Sequence, residues 1–471
     1  MCPAILGAPF FLKASAASAH AFGARYDLPL PLHFYLGAAG VAVAASFVAA
    51  LVFLRQGRTT TVAINIPLPP ALTALAAISL RITGIVVLAV LLGAAAFGPP
   101  SAADNLATIF VWVIWWVGYL LFSALVAPTW PAIDPFRGVF TVFCRLFGRD
   151  PEASASELPP VAGYIAPAGL LALAWVELIS DRSEDPKAVG VLISSYLFVT
   201  LLCASRFGMA WFRVADPLGR VFDLVGRMAV FRPTAASTLT IGLPGEGLLG
   251  GRQPIKGETA LVCVLIGTVL FDGFSETPAW AAVLDHISQS QSLRSLLLFL
   301  REQGVDLLKL IRFAGLITTI AAFLAAYWLL SWAMRKAAGD DGRTRSVAAN
   351  FSGALLPIAI AYHLSHYVSY LMIAGQLAAP AASDPFGLGW DLVGAADRSI
   401  DISVIGARHV WWIGFFALIL GHGLSVLIGH RRALIYFGEA RSASASQLPM
   451  MVGMVCLTMM SLWILSQPIT K

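Results

Sequence analysis

The run "LPIAIAYHLSHYVSYLMIAGQL", Leu356 to Leu377, sets His363 and His366 inside a stretch otherwise apolar and long enough to cross a membrane. In hydrocarbon an ionisable side chain costs roughly 2.5–3.5 kcal/mol on insertion scales, so such residues turn to a bundle interior, a cavity or a partner. Helical residues three apart share a face with about 5–6 Å between Cβ atoms, which suits two ligands of one metal ion. A single imidazole there would read equally well as a packing residue met by one neighbour. Carboxylates favour the metal. "VLFDGFSETPAW" puts Asp272 and Glu276 four apart on one face, and "AWVELISDRSEDP" does the same with Glu177 and Asp181. His409 opens a later apolar run, and His20 and His33 lie near the N-terminus. Imidazole with carboxylate suits a divalent transition metal such as zinc, manganese or copper, and iron and nickel share the preference. On this reading His363, His366, His20, Asp272, Glu177 and His409 are candidate ligands, and Asp272 and Glu276 candidate catalytic carboxylates. Each acid has a plainer alternative: Asp272 and Glu276 could close a helix around Gly273 and Pro278, and Glu177 could be held by a backbone or tyrosine partner.

The elements that must position these groups follow from composition. The 471 residues are 58% hydrophobic and 12% charged, where a soluble domain carries about 25% charged residues, and mean hydropathy is +0.79. The apolar material comes in separated runs of about 20 residues, the length of a spanning helix, and not in alternating ten-residue strands. An all-α, polytopic transmembrane bundle is therefore expected. Ten spans are predicted, centred on His33–Leu54, Ile82–Phe97, Ile109–Val126, Ala162–Ile179, Val189–Phe207, Leu261–Phe271, Ala314–Trp332, Leu356–Gln376, Val410–Ile428 and Leu448–Leu465; the second and sixth are the least distinct.

Charge orients the bundle. With the N-terminus outside, the inner loops hold Arg55, Arg58, Arg137, Arg213, Arg220, Arg335, Arg343 and Arg431, among others, and most short outer loops are poor in Lys and Arg. An even number of spans then leaves both termini extracytoplasmic. The net charge of +5 is accounted for by these loops and does not require a nucleic-acid partner. Residues 1–19, "MCPAILGAPFFLKASAASA", offer an apolar run and an Ala17-Ser18-Ala19 cleavage site, so a signal peptide is possible and its removal would leave His20 as the first residue. Residues 20–471 then form a single transmembrane domain. Interfacial helices are expected near 136–148, capped by Asp134 before Pro135, and near 213–231, with an irregular connector after the latter. An outer amphipathic segment is expected near 281–304. In this topology the His and carboxylate groups collect between the midplane and the outer face, whereas His422 and His430 lie deeper or inward and read as packing residues.

Familiar catalytic patterns are missing. There is no G-x-S-x-G elbow, Walker loop, H-E-x-x-H or Rossmann glycine pattern, and "GLPGEGLLGG" is a loop. The five cysteines show no C-x-x-C or paired spacing. No fixed-period repeat is evident. A haem between His363 or His366 and His422 stays open as a minor alternative.

The segments "HAFGARYDLPLPL", "VWVIWWVGYLLFSALVAPTWPAIDPFR", "LFDGFSETPAW", "PIAIAYHLSHYVSYLMIAGQ" and "ALILGHGLSVLIGHRRAL" together resemble multispanning bacterial membrane proteins of the fenitrothion hydrolase family, over most of the chain. That resemblance implies a hydrolase of organophosphorus compounds in the bacterial inner membrane, working as a heterodimer with a second membrane subunit on an apolar small-molecule substrate. It supplies no catalytic residues. Two other classes use the same cluster: an ion- or proton-coupled transporter, and a copper-handling or redox subunit in which a freed His20 joins His363 and His366. A reporter fused after Lys471 is expected to be active only in an extracytoplasmic assay; cytoplasmic activity would reverse the assignment of the cluster to the outer half.

Overall fold

A computed structural model describes residues 29–53, 63–154, 156–234, 237–250, 252–396 and 398–467. Among these residues nine helices are long and apolar enough to cross a membrane, and a tenth apolar helix, Ala162–Leu178, is shorter. The chain is an all-α, multi-pass membrane protein. The proposed leader and His20 lie outside the described residues.

The first span, α1 (Leu32–Phe53), is followed by a short strand β1 (Ile64–Pro67) and by α2 (Pro70–Phe97). Pro70 supplies a fixed φ at the start of α2, where its missing N–H costs nothing. The third span is mixed: α3 (Leu106–Ile109), a π-helix (Phe110–Tyr119) and α4 (Leu120–Leu125). Asn105 caps its start, accepting from the Ala107 amide at 2.9 Å. Then come α5 (Trp130–Ile133) and α6 (Pro135–Leu146), the fourth span α7 (Ile165–Leu178) behind a 3-10 turn, and α8 (Pro186–Phe207).

Beyond α8 the chain departs from expectation. The 213–231 segment is broken at Asp216-Pro217 into α9 (Ala210–Val214) and α10 (Pro217–Gly226). Helix α10 is buried along most of its length and packs on α4, α5 and α7. The apolar stripe expected to meet lipid headgroups meets protein instead. The connector after it contains β2 (Phe231–Thr234) and β3 (Thr238–Ile241), which pair antiparallel with β1 in the order β1-β3-β2. Proline is tolerated at Pro67 and Pro233 because both sit in edge strands, where a missing donor faces no neighbour.

The remaining spans form the other half of the bundle. They are α11 (Glu258–Ser275), the amphipathic pair α12 (Pro278–Gln289) and α13 (Gln291–Glu302), α14 (Leu307–Ala337), α15 (Thr344–Phe351), α16 (Leu356–Ala374), α17 (Ala378–Ser383), α18 (Ala407–Phe437) and α19 (Ala440–Leu465). Helices α1, α16, α18 and α19 pack on one another, α14 joins through α11 and α19, and α11 and α16 connect this group to α7 and the π-helix. A buried ion network fixes the base of α11 to α10. Arg220 meets Glu258 at 2.8 Å and Arg227 meets it at 3.1 Å, while Arg220, Arg227 and Arg252 all reach Asp223. Burial works to raise the Asp223 carboxyl, but the three guanidinium groups hold it below the usual carboxylate range.

The folded chain exposes a relation that is faint in the sequence. "WPAIDPFRGVF" (Trp130–Phe140) and "WFRVADPLGRVF" (Trp211–Phe222) both run from Trp through Asp-Pro to Val-Phe, with one extra residue before the aspartate in the second. Each follows a pair of apolar helices, α2 with the third span and α7 with α8. Each Asp-Pro helix packs on the first helix of its own pair and the second helix of the other: α6 on α2 and α8, α10 on α7 and α4. The aromatic rings are exchanged in the same way, Trp130 stacking on Phe222 at 4.5 Å and Phe140 meeting Phe212 at 5.9 Å. A glycine in each first helix admits the partner: a Cβ on Gly84 would lie 1.9 Å from the Ile133 carbonyl, and one on Gly169 would lie 2.2 Å from Pro217. The two arms thus share a sequence pattern and exchange their packing partners reciprocally.

Both arms bring an aspartate to a helix N-terminus. Asp134 accepts from the amides of Phe136 and Arg137 at 3.0 and 3.2 Å, and Asp216 accepts from Gly219 at 2.7 Å and from the Tyr196 hydroxyl. Burial, and for Asp134 the neighbouring Asp216 charge, hold both carboxyls above the usual range, against the pull of these donors and of Arg137. A raised acid favours the protonated folded form, so its contribution is full below the ordinary value of 3.8 and is lost as pH rises towards neutrality. Asp134→Asn keeps the capping oxygen and removes the titration. Its thermal midpoint is expected to depend less on pH between weakly acid and neutral conditions than that of the unmodified chain; an unchanged profile would refute the coupling of the two arms through these acids.

Candidate functional site

The polar cluster forms where α11, α16, α7 and the π-helix meet. Asp272 lies one turn before the end of α11, and its Oδ2 takes two bonds from α16: His366 Nε2 at 3.0 Å and the Tyr367 hydroxyl at 2.5 Å. Both side chains of the His366–Asp272 pair are about nine-tenths buried, at 10% and 9% exposure. A carboxylate in that setting has few waters to solvate it, and charge-assisted bonds carry the compensation.

Helical geometry explains the donor set. His366 and Tyr367 are adjacent, and α16 starts at a proline that leaves the later turns regular. The Tyr362 ring lies parallel to the His366 imidazole at 6.2 Å, one turn below it. Gly273 permits the approach of α11 to this face, since a Cβ there would come within 2.7 Å of the Tyr362 hydroxyl and 2.9 Å of Ile464. On the other side Glu177 ends α7 and accepts from Trp116 Nε1 at 3.0 Å, while Trp112 Nε1 donates to the Ser183 carbonyl at 2.8 Å. The two indoles, four apart on the π-helix, hold the α7–α8 connection. π-Helical turns widen a helix and recur at functional sites; here one presents Trp112 and Trp116 to the acid-bearing end of α7. Glu177 and Glu276 both lie within electrostatic reach of Tyr367, and Glu177 within reach of Asp272.

The candidates from the sequence therefore divide. Asp272 and His366 come together directly, and Glu177 and Glu276 surround them at longer range. His363 does not share the bond to Asp272: it packs on the Tyr367 ring at 4.8 Å, and its Nε2 has no hydrogen-bond partner among the described residues. The shared-face argument placed the two rings on one side of α16, but a 3.6-residue turn separates positions three apart by about 60° of rotation, enough to give the rings different neighbours. His409 is exposed at the start of α18. Asp181 is also exposed and pairs with Lys309. His422 is buried with Nδ1 bonded to the Leu418 carbonyl at 2.8 Å, the arrangement of a packing histidine within one helix. Tyr367, Tyr362 and Trp116 are members that residue-type reasoning passed over. The signal for them was present in "YHLSHY", where aromatic hydroxyls flank both imidazoles, and in "WVIWW", where indoles recur at helical spacing.

As a metal site the cluster is partial. The 3.0 Å separation of His366 Nε2 and Asp272 Oδ2 fits two donors of one first coordination shell. Among the described residues no three His, Cys, Asp or Glu side chains converge as a ligand set, so further donors would have to come from movement of Glu177 or Glu276, or from His20. No family model, curated protein or solved structure matches the chain. If Asp272 and His366 bind an ion, elemental analysis of the purified protein should show metal lost from His366→Ala and Asp272→Asn and kept in His363→Ala. Equal loss from His363→Ala would restore the two-histidine site.

Proposed function

We propose that the Asp272, His366 and Tyr367 cluster is the reactive centre of a membrane-embedded hydrolase acting on neutral, apolar esters, with organophosphate triesters the class to which the family resemblance points. The observation that carries the reading is Asp272 receiving both the imidazole and the phenol inside a span, a placement with a high desolvation cost and no packing advantage over an apolar residue. Asp272 as acceptor for His366 Nε2–H places the basic lone pair of the imidazole on Nδ1. That nitrogen takes a proton as water oxygen bonds to the phosphorus; the bond to the leaving oxygen breaks, and the proton passes to the departing group. Tyr367 holds the carboxylate in place. Alternatively, a zinc, manganese or copper ion held by Asp272 and His366 would take the place of the Nε2–H bond and would supply Lewis-acid polarisation and an acidified water. We place the protein in the bacterial inner membrane with the cluster toward the outer side, beside a second membrane subunit that should copurify.

A second reading, proton- or ion-coupled transport, is favoured by one observation: two arms of similar sequence pattern that pack reciprocally, since internal repeats recur in transporters. Hydrolysis of a neutral triester with a chromogenic leaving group, assayed in lipid nanodiscs, decides between them. General acid–base participation contributes typically 10²–10⁴-fold, so Asp272→Asn is expected to lower kcat/KM by at least about 100-fold with the fold retained. Absence of turnover in the unmodified protein, combined with pH-gradient-driven uptake in vesicles that Asp272→Asn abolishes, would replace hydrolysis by transport.

A further inference from the structure

A cavity of about 780 Å³ lies between the two arms, walled by α2, the π-helix, α7 and α8 and floored by the first turns of α6 and α10. Its lining is almost wholly apolar. Among the polar side chains in its wall, Tyr119 pairs with Thr129 at 2.8 Å and Tyr196 with Asp216, while the buried indole nitrogens of Trp130 and Trp211 have no hydrogen-bond partner among the described residues. The cavity and the polar cluster share a thin partition. Val176 and Trp115 line the cavity, and their immediate successors in sequence, Glu177 and Trp116, bond to one another beside Asp272.

We propose that this cavity binds a compact, neutral, apolar molecule drawn from the bilayer. Its volume falls within the roughly 300–1,000 Å³ of small-molecule pockets. Charge is equally selective: among the described residues no cation lines the wall to pair with an anion, and the amides at the floor are already taken by the capping side chains of Asp134 and Asp216. The cavity lies among membrane-spanning helices, and small residues on α7, Ala168, Gly169 and Ala172, keep its wall thin. Binding of this kind stands apart from hydrolysis, because a ligand is held whether or not it is turned over.

The test is photolabelling of the full chain in zwitterionic vesicles with a neutral aryl diazirine, mapped by peptide mass spectrometry. Labelling of the α7 peptide containing Ala172 and Val176 is expected to saturate with probe concentration and to fall at least tenfold with excess non-photoactive analogue. Labelling at Phe198 and Val191, exposed on α8, should rise linearly as for bulk lipid. Ala172→Trp fills the cavity from an exposed helix position and should abolish the saturable component, as should Ala168→Trp if the first variant folds poorly. Asp272→Asn should leave it intact, which separates failure of this site from failure of the hydrolase reading. Linear labelling of α7, or saturable labelling unchanged in a well-folded Ala172→Trp variant, would overturn the proposal.

Discussion

A carboxylate inside a bundle that faces hydrocarbon must be met by donors, and that requirement organises the junction of the two halves of this protein. Asp272 is met by His366 and Tyr367 from α16. To deliver both, α11 and α16 must approach closely, which Gly273 allows. Their approach in turn places the end of α7 and the π-helix on the remaining side, where Glu177 needs its own donor and takes it from Trp116. Each polar group is satisfied by an element from a different part of the chain. Loss of one contact would leave a buried group unpaired, at a cost of about 1–3 kcal/mol or more for a charged one.

The same logic operates at the other end of the bundle with a different solution. Glu258 and Asp223 are met by several guanidinium groups, two of them largely buried, with planar donors that can serve two carboxylates at once. Asp134 is met by two backbone amides at a helix start, and Asp216 by one such amide and the Tyr196 hydroxyl, where the dipole adds to the hydrogen bonds. Ion pairing thus secures the α10–α11 junction, helix capping secures the arms, and the mixed His, Tyr and Trp set is reserved for the cluster among the spans. Of the three, only the last pairs a carboxylate with a group that readily changes protonation state.

Much of the fold was legible in the sequence, because spanning length and hydropathy are local properties. The ten apolar runs correspond to nine long helices and the shorter Ala162–Leu178, and the amphipathic segments near 136–148 and 281–304 appear as α6 and the α12–α13 pair. What failed was the choice of neighbour. An apolar stripe on α10 reads identically whether it meets headgroups or other helices, and only the tertiary position of α4, α5 and α7 decides. Strands β1 and β3 are four residues each and more than 170 residues apart, too short and too distant to signal their pairing. The site was half legible for the same reason. Residue type and depth marked Asp272 and His366 together with His363, His20, Glu177 and His409, but not that the Tyr367 hydroxyl would join His366 on Asp272.

The two arms show why a repeated pattern can be hidden by a single residue. The spacing from Trp to Asp-Pro differs by one between Trp130–Asp134 and Trp211–Asp216, while the spacing from Asp-Pro to Val-Phe is the same in both, so the helices that start at Pro135 and Pro217 keep a common phase. An ungapped comparison therefore misses the match, and the positions that recur are few: the tryptophan, the capping aspartate, the proline that starts the helix and the phenylalanine that crosses to the other arm. Reciprocal packing carries a penalty, because it sets two like-charged carboxylates near one another. Burial and mutual repulsion are relieved if one proton is shared between Asp134 and Asp216, and the helix amides stabilise the charge that remains. An arrangement of this kind closes the floor of the bundle without a cation and leaves the space between the arms uncharged and apolar.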